Sequence, residues 1–175
     1  MSFEVGKRAM DFLIENSGSR RNLEVDFFGG EPLMNFDMVK KLVAYCREQE
    51  KIHNKNFRFT MTTNGMLIDD DVIDFCNKEC HNVVLSLDGR KEVHDRFRKD
   101  YAGHGSYDTI VPKFQEFVKK RGDKATTCVA PIPTTTPTSP TISSTWQIWL
   151  YRAEHGARGL RPSDPSALTE QICPS

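Results

Sequence analysis

Hydrophobic and polar residues alternate with a period of two in short segments of the chain. The first covers residues 23–27, where every second residue is apolar and the residues between them are acidic. Residues 57–61 alternate in the same way, and residues 82–87 are apolar almost throughout. Alternation is typical of a strand with one buried face, and a continuous apolar run is typical of a parallel strand covered on both faces. The pattern predicts three strands, over residues 23–28, 57–61 and 82–87.

Helical periodicity separates these strands. Apolar residues recur at the spacing of one helical face in segments that begin near Ser2, Asn35, Asp69 and Ser106. Strands and helices in alternation predict a parallel sheet with right-handed crossovers. The first helix is predicted over residues 2–15, with a buried stripe formed by Val5, Ala9, Phe12 and Leu13.

The first predicted strand ends at a pair of glycines that is followed by Glu31. Because Gly29 and Gly30 lack a Cβ atom, they permit positive φ and let a ligand approach the backbone. Glu31 then stands at the carboxyl end of a strand, where open α/β sheets and barrels bind their ligands. A carboxylate there suits an ammonium group, whereas a solvated turn glutamate is the alternative if the motif is considered alone.

The other two predicted strands also run into polar turns that contain glycine. In a parallel sheet all three turns lie on one rim, so a single site could use them together. At such a rim, one carboxylate can bind an amine, and a second carboxylate can bind ribose hydroxyls. Amide and hydroxyl groups can bind the polar edges of the ligand. The pattern predicts a small ligand with an amine and a sugar. Its candidate contacts are Glu31, Thr63, Asn64, Ser86 and Asp88.

Composition and charge argue against several classes of function. The chain has 175 residues, of which 38% are hydrophobic and 27% charged, as in ordinary soluble domains. Lysine plus arginine equals aspartate plus glutamate at 24 each, so no net field favours nucleic acid or an anionic membrane as a partner. Five scattered cysteines do not suggest a disulfide framework, and there is no membrane-spanning apolar run or signal peptide. We expect a cytoplasmic protein.

The polar turns occur in an order that resembles a known family. Residues 28–33 are Phe-Gly-Gly-Glu-Pro-Leu, residues 62–65 are Thr-Thr-Asn-Gly, and residues 86–89 are Ser-Leu-Asp-Gly. His-Asp-Arg-Phe-Arg at 94–98 and Gly-His-Gly-Ser-Tyr at 103–107 follow. This set resembles the radical SAM enzymes, and among them the SPASM-type peptide maturases, in particular the six-cysteine peptide maturases. The resemblance covers about residues 1–124.

The resemblance implies a fold, a cofactor and a substrate. The fold would be α/β, a partial (β/α) barrel with parallel strands. The intact relative forms thioether cross-links in a cysteine-rich precursor peptide by means of a 5′-deoxyadenosyl radical. The cofactor would be S-adenosylmethionine, with Gly29, Gly30 and Glu31 at its amino group, Ser86 and Asp88 at its ribose, and Arg98 at its carboxylate.

Two alternatives stay open at this point. Anaerobic sulfatase maturases share these motifs and oxidise a cysteine or serine side chain, so the substrate would separate them from a thioether maturase. A non-catalytic α/β protein that binds a nucleotide-like ligand belongs to a different class.

One feature of the family is missing from the sequence. Family members hold a 4Fe-4S cluster through a Cys-x3-Cys-x2-Cys loop before the first helix, and this chain has no such loop. Cys76 and Cys80 have a suggestive spacing, but Val83 stands where a third cysteine would be needed, so core packing explains the pair. A zinc site with His81 would lack a fourth ligand. We expect an N-terminally truncated fragment that is inactive as an enzyme and has no metal ligands of its own.

The sequence loses its periodicity from Ala125 onward. Residues 131–145 consist of proline, threonine and serine apart from two isoleucines, and a disordered linker is one interpretation. Back-translation with a shifted reading frame gives instead a strand and an amphipathic helix of the kind that the family has next. We therefore expect a partial core over residues 1–124, a frameshifted segment without a designed fold over 125–162, and a short in-frame remnant with an aberrant end over 163–175.

Overall fold

Helices and parallel strands alternate along the part of the chain that the structure, a computed structural model, describes, which is residues 1–129. A short 3-10 helix, Pro32–Asn35, precedes the second α-helix. None of the helices between residues 1 and 129 is long and apolar enough to cross a membrane. The elements are α1 (Phe3–Asn16), β1 (Asn22–Phe27), α2 (Phe36–His53), β2 (Asn56–Thr63), α3 (Asp70–Glu79), β3 (Cys80–Ser86), α4 (Lys91–Phe97), α5 (Tyr107–Arg121) and β4 (Thr126–Val129).

The four strands form one parallel sheet in the order β1-β2-β3-β4. Phe27 at the end of β1 is level with Met61, and Thr63 at the end of β2 is level with Leu85. The carboxyl ends of neighbouring strands therefore lie side by side, which is the rim that the sequence predicts. The α/β class and the parallel sheet are confirmed.

The hydrophobic core lies on one face of the sheet. Phe57, Phe59 and Met61 point to this face from β2 and are at most 2% exposed. They pack against helix residues that are fully buried, among them Leu42 of α2 and Phe114 of α5. Burial of this much aromatic and aliphatic surface is the main contribution to folding, at about 25 cal/mol per Å² of apolar area.

The other face of the sheet is polar. Glu24 is exposed at one edge, and the Arg58 guanidinium donates to it at 3.4 Å. Near the rim, the Thr62 hydroxyl donates to Asp26 at 3.4 Å. Asn82 of β3 belongs to the same face, as a half-buried residue. Val84, level with Thr62, lies on this face and is also half-buried, so the cover of β3 on both faces stays a prediction.

Helix α1 packs with a different face from the predicted one. Phe12 is 67% exposed and Val5 is 56% exposed, whereas Gly6 and Ile14 are buried. A Cβ atom added to Gly6 would lie 2.6 Å from a methyl carbon of Leu42, so α1 approaches α2 through this glycine. The close approach sets the rotation of the helix, and that rotation turns Val5 and Phe12 outward.

Two elements were not predicted from the sequence. Helix α4 occupies Lys91–Phe97, between β3 and α5. Strand β4, Thr126–Val129, pairs in parallel with β3 and lies in the segment that was expected to lack a designed fold. The rest of the expected frameshifted segment and the whole remnant over 163–175 lie outside the described residues.

Candidate functional site

The glycine pair after β1 faces open space. Gly29 has φ of 142°, a backbone conformation that side chains disfavour. A Cβ atom added to Gly29 or Gly30 would meet no atom within 4 Å. No internal packing therefore requires a glycine at position 30, and the open backbone leaves room for a ligand to approach.

Glu31 is held at the rim by three hydrogen bonds. Its Oε1 accepts from the Leu33 backbone N–H at 3.1 Å and from the Thr63 hydroxyl at 2.8 Å. Its Oε2 accepts from the Asn64 backbone N–H at 2.7 Å. The first bond caps the 3-10 helix, and the other two join the loop after β1 to the end of β2. Since a carboxylate has about four acceptor positions, one remains for a donor from a ligand.

Thr63 and Asn64, both predicted as ligand contacts, make hydrogen bonds within the protein. Thr63 is 2% exposed, and its hydroxyl both donates to Glu31 and accepts from the Gly65 N–H at 3.1 Å. Both functions of the hydroxyl are thus used inside the protein. The Asn64 side-chain oxygen accepts from the Met66 N–H at 3.0 Å, so its NH₂ group stays available as a donor. Thr63 therefore orients Glu31, and Asn64 has a polar group to offer.

Asp88 and Arg98 form a second part of the rim, after β3. The Arg98 Nε donates to Asp88 Oδ2 at 2.7 Å, and the Asp88 side chain is 6% exposed. The other carboxylate oxygen, Oδ1, is buried and has no hydrogen-bond partner within residues 1–129. A buried carboxylate oxygen without a donor is costly, so this atom is suited to a hydroxyl donor from a ligand. The two Arg98 Nη groups can still bind an anion.

Ser86 lies between the two parts of the rim. It is the last residue of β3, is half-buried, and follows Leu85, the partner of Thr63 in the neighbouring strand. Direct contacts thus join Glu31 with Thr63 and Asn64, and the sheet register places Ser86 beside this group. This arrangement has the polar groups that a ligand with an amine and a ribose needs.

Two functional candidates were missed from the sequence. His94 is 0% exposed and Ser106 is 6% exposed, and both lie behind Asp88. His94 Nδ1 accepts from the Asp88 backbone N–H at 3.2 Å, and its Nε2 lies 2.9 Å from the Ser106 hydroxyl. Both residues belong to motifs that the sequence singles out, but the sequence predicts only the start of a helix near Ser106 and no role for His94.

The cysteines do not form a site for an iron-sulfur cluster in the described part of the chain. Residues 1–129 contain no group of three or more His, Cys, Asp or Glu side chains that could hold a metal ion. Cys76 and Cys80 are buried, and the hydrogen bond between their thiols raises the pKa of Cys76 and lowers that of Cys80. The Arg121 guanidinium, which donates to the Cys80 carbonyl oxygen at 3.0 Å, also favours the Cys80 thiolate.

A cavity of about 560 Å³ lies at the other end of the sheet. Its lining includes Asn56, Cys80 and Ala125, which are at or next to the amino ends of β2, β3 and β4. The cavity is therefore separate from the rim, and the strand-end geometry identifies the candidate site better than cavity size does.

Known proteins share this sequence pattern and this fold. The family model described as the Radical SAM superfamily matches residues 4–136. An uncharacterized protein of Methanocaldococcus jannaschii is 32% identical over 98 residues, which is 56% of this chain and 32% of that protein. The cysteine-type anaerobic sulfatase-maturating enzyme of Clostridium novyi is 32% identical over 94 residues, which is 53% of this chain and 25% of the enzyme.

A solved structure is similar to the described fold. It is that of anSMEcpe with bound AdoMet and the Kp18Cys peptide, with a TM-score of 0.64 and 26% identity, over 73% of this chain and 35% of the other. The chain spans between 25% and 35% of the length of these three relatives.

Proposed function

Because the chain belongs to the radical SAM superfamily, we propose that its strand-end rim binds S-adenosylmethionine. The observation that carries this proposal is the buried Asp88 Oδ1, which has no donor among the described residues. A ribose hydroxyl would supply that donor. The solved relative with bound AdoMet supports the same ligand.

Each part of the rim has its own task in the proposal. The open acceptor position of Glu31 takes the ammonium group, and the glycine pair beside it lets the cofactor approach the backbone. Ser86 and Asp88 hold the ribose hydroxyls. The Nη groups of Arg98 bind the cofactor carboxylate, while its Nε keeps Asp88 in place.

The chemistry would come from the cofactor and the positioning from the protein. If bound, S-adenosylmethionine would supply, after cleavage by a one-electron donor, the carbon radical that takes a hydrogen atom from the substrate, and the residues of the rim would bind and orient it. The described residues do not fit a 4Fe-4S cluster, because they include no group of three or more side chains that could hold one.

For the substrate, we propose a peptide side chain. The first candidate is a cysteine-rich precursor peptide that receives thioether cross-links, supported by the ordered motifs of residues 28–107. The second is a sulfatase cysteine that is oxidised, supported by the sulfatase-maturating relative and by the peptide in the solved relative. In either case the substrate would lie along the polar face of the sheet, near Asp26 and Thr62.

Isothermal titration calorimetry of the 175-residue chain tests cofactor binding. S-adenosylmethionine should bind with one site, and ATP, which lacks the amino-acid part, should bind more weakly. Equal affinity for the two ligands would refute the assignment of Glu31 and Arg98.

Fluorescence anisotropy separates the two substrate candidates by relative affinity. It compares a labelled cysteine-rich peptide with a labelled sulfatase peptide, each in the presence of S-adenosylmethionine.

A further inference from the structure

Four residues form a closed ring of hydrogen bonds behind the candidate cofactor site. This Asp88 ring consists of Asp88, His94, Ser106 and Arg98. The Asp88 backbone N–H donates to His94 Nδ1 at 3.2 Å, and His94 Nε2 lies 2.9 Å from Ser106 Oγ. Ser106 Oγ donates to the Arg98 carbonyl oxygen at 3.0 Å, and Arg98 Nε donates to Asp88 Oδ2 at 2.7 Å, which closes the ring. The ring joins the loop after β3 to both ends of the α4 to α5 connection.

The ring requires one particular protonation state of His94. Since Nδ1 accepts a hydrogen bond from a backbone N–H, it carries no proton, and the proton is on Nε2. Ser106 Oγ uses its own hydrogen toward Arg98, so it accepts from Nε2. Burial lowers the pKa of His94, and among the charged groups around it Asp88 and Asp95 act against this effect while Arg98 adds to it. The His94 side chain is therefore neutral, and it links the Asp88 backbone to the Ser106 hydroxyl.

The connection between α4 and α5 folds back on itself, so that Ser106 lies next to His94. Lys99 and Gly105 form an antiparallel bridge that closes this connection. A Cβ atom added to Gly105 would lie 2.1 Å from the Asp95 carboxyl carbon, so a side chain at this position would displace the Asp95 carboxylate. Asp95 Oδ1 in turn accepts from the Tyr107 N–H at 2.9 Å, at the start of α5. The position of Ser106 is thus fixed from both sides.

The ring holds Asp88 at two points and leaves one atom free. His94 fixes the backbone of Asp88, and Arg98 fixes one carboxylate oxygen. The remaining oxygen, Oδ1, is the buried atom without a partner. We propose that His94 and Ser106 are positioning residues for the cofactor, which keep Asp88 Oδ1 aimed at a ribose hydroxyl. This inference rests on the proposed function.

Three variants of the 175-residue chain and one control test the proposal. His94→Leu removes both hydrogen bonds of the ring histidine. His94→Asn keeps a carbonyl oxygen near the place of Nδ1, and Ser106→Ala removes only the hydroxyl link. The control is His104→Leu, because His104 lies in the same connection with a side chain that is 80% exposed. Calorimetry gives the S-adenosylmethionine dissociation constant of each, and thermal unfolding gives its midpoint.

The proposal predicts a change in affinity that does not follow stability. His94→Leu should bind S-adenosylmethionine about tenfold more weakly, as expected for one or two lost hydrogen bonds, and Ser106→Ala about threefold to fivefold more weakly. His94→Asn should recover most of the affinity, and His104→Leu should bind like the parent. If His94→Leu does not fold, the weaker binding of Ser106→Ala at an unchanged melting midpoint supports the proposal.

Three results would overturn the proposal in distinguishable ways. If the parent binds and all variants bind equally well, the Asp88 ring has no role in binding, whereas the proposed function stands. If the affinities of the variants fall only in proportion to their melting midpoints, with no recovery in His94→Asn, the ring is merely structural. If the parent itself does not bind S-adenosylmethionine, the proposed function fails and this inference fails with it.

Discussion

At the scale of single residues, the Glu31 carboxylate accepts three internal hydrogen bonds, and under the proposed function its remaining acceptor position binds the ligand. Glu31→Ala should weaken S-adenosylmethionine binding by about 1.5–3 kcal/mol, the range for a hydrogen bond to a charged group. It should also lower the melting midpoint, because the Thr63 hydroxyl and the Asn64 N–H lose their acceptor. Calorimetry and thermal unfolding of the same sample measure the two effects.

The matched control for Glu31 is Glu24→Ala. Glu24 belongs to β1 of the same sheet, and its side chain is 76% exposed on the polar face. This variant should bind S-adenosylmethionine like the parent. An unchanged affinity in Glu31→Ala would show that the carboxylate serves the loop structure alone.

Gly65, next to Asn64 on the rim, should not tolerate a side chain. Its φ is 84°, and a Cβ atom would lie 2.1 Å from a ring carbon of Phe114. Gly103 has φ of 85° but nothing within 4 Å of an added Cβ, so Gly103→Ala isolates the backbone cost, about 1–2 kcal/mol. Gly65→Ala should cost about 1–3 kcal/mol more in urea unfolding, owing to the clash with a packed core. Equal losses would mean that Phe114 moves aside freely.

The sequence predicts the residues of the rim better than their partners. Glu31 and Asp88 can be identified because strand ends and glycine turns are local patterns. The link of Thr63 to Glu31, and the ring through His94, join residues that are 32 and 6 positions apart. Such partners depend on tertiary packing, and no spacing rule in the sequence determines them.

At the scale of elements, α1 shows how packing decides which face of a helix is buried. Its apolar residues occur on more than one side, so periodicity alone allows two interpretations. The contact of Gly6 with Leu42 selects one of them.

Helix α4 is short and has Val93 as its one aliphatic residue, so it has no apolar stripe from which a helix could be predicted. Strand β4 has four residues, and its first, Thr126, is 1% exposed although it is polar.

Truncation of one residue on each side of α1 tests the observed face. Ile14 is 7% exposed, and Ile14→Ala should lower the free energy of unfolding by about 2–4 kcal/mol, as for other buried aliphatic residues. Phe12 is 67% exposed, and Phe12→Ala should change it by less than about 0.5 kcal/mol. Urea unfolding of both variants measures the difference. A larger loss for Phe12→Ala would support the face that periodicity predicts.

At the scale of the whole molecule, the two faces of the sheet differ in character. The core face is apolar, and the other face has charged and hydroxyl groups such as Glu24, Arg58 and Thr62. A polar face can be wetted or can bind a peptide, and it does not promote aggregation as an apolar face of this size would. The edge of β1 differs in this respect, since β1 pairs on one side only within residues 1–129, and unpaired strand edges promote association.

The 175-residue chain should bind S-adenosylmethionine without assembling a stoichiometric 4Fe-4S cluster. Its five cysteines contain no Cys-x3-Cys-x2-Cys motif. Cys46, one of the buried cysteines, has a thiol whose pKa burial raises to about 12, and iron is bound by thiolates. After anaerobic incubation with iron and sulfide, and then reduction, we expect no cluster absorption and no 5′-deoxyadenosine. A relative that carries the three-cysteine loop is the positive control. One cluster per chain with 5′-deoxyadenosine formed would contradict this prediction, whereas cofactor binding without cleavage would show that the rim binds independently of any cluster.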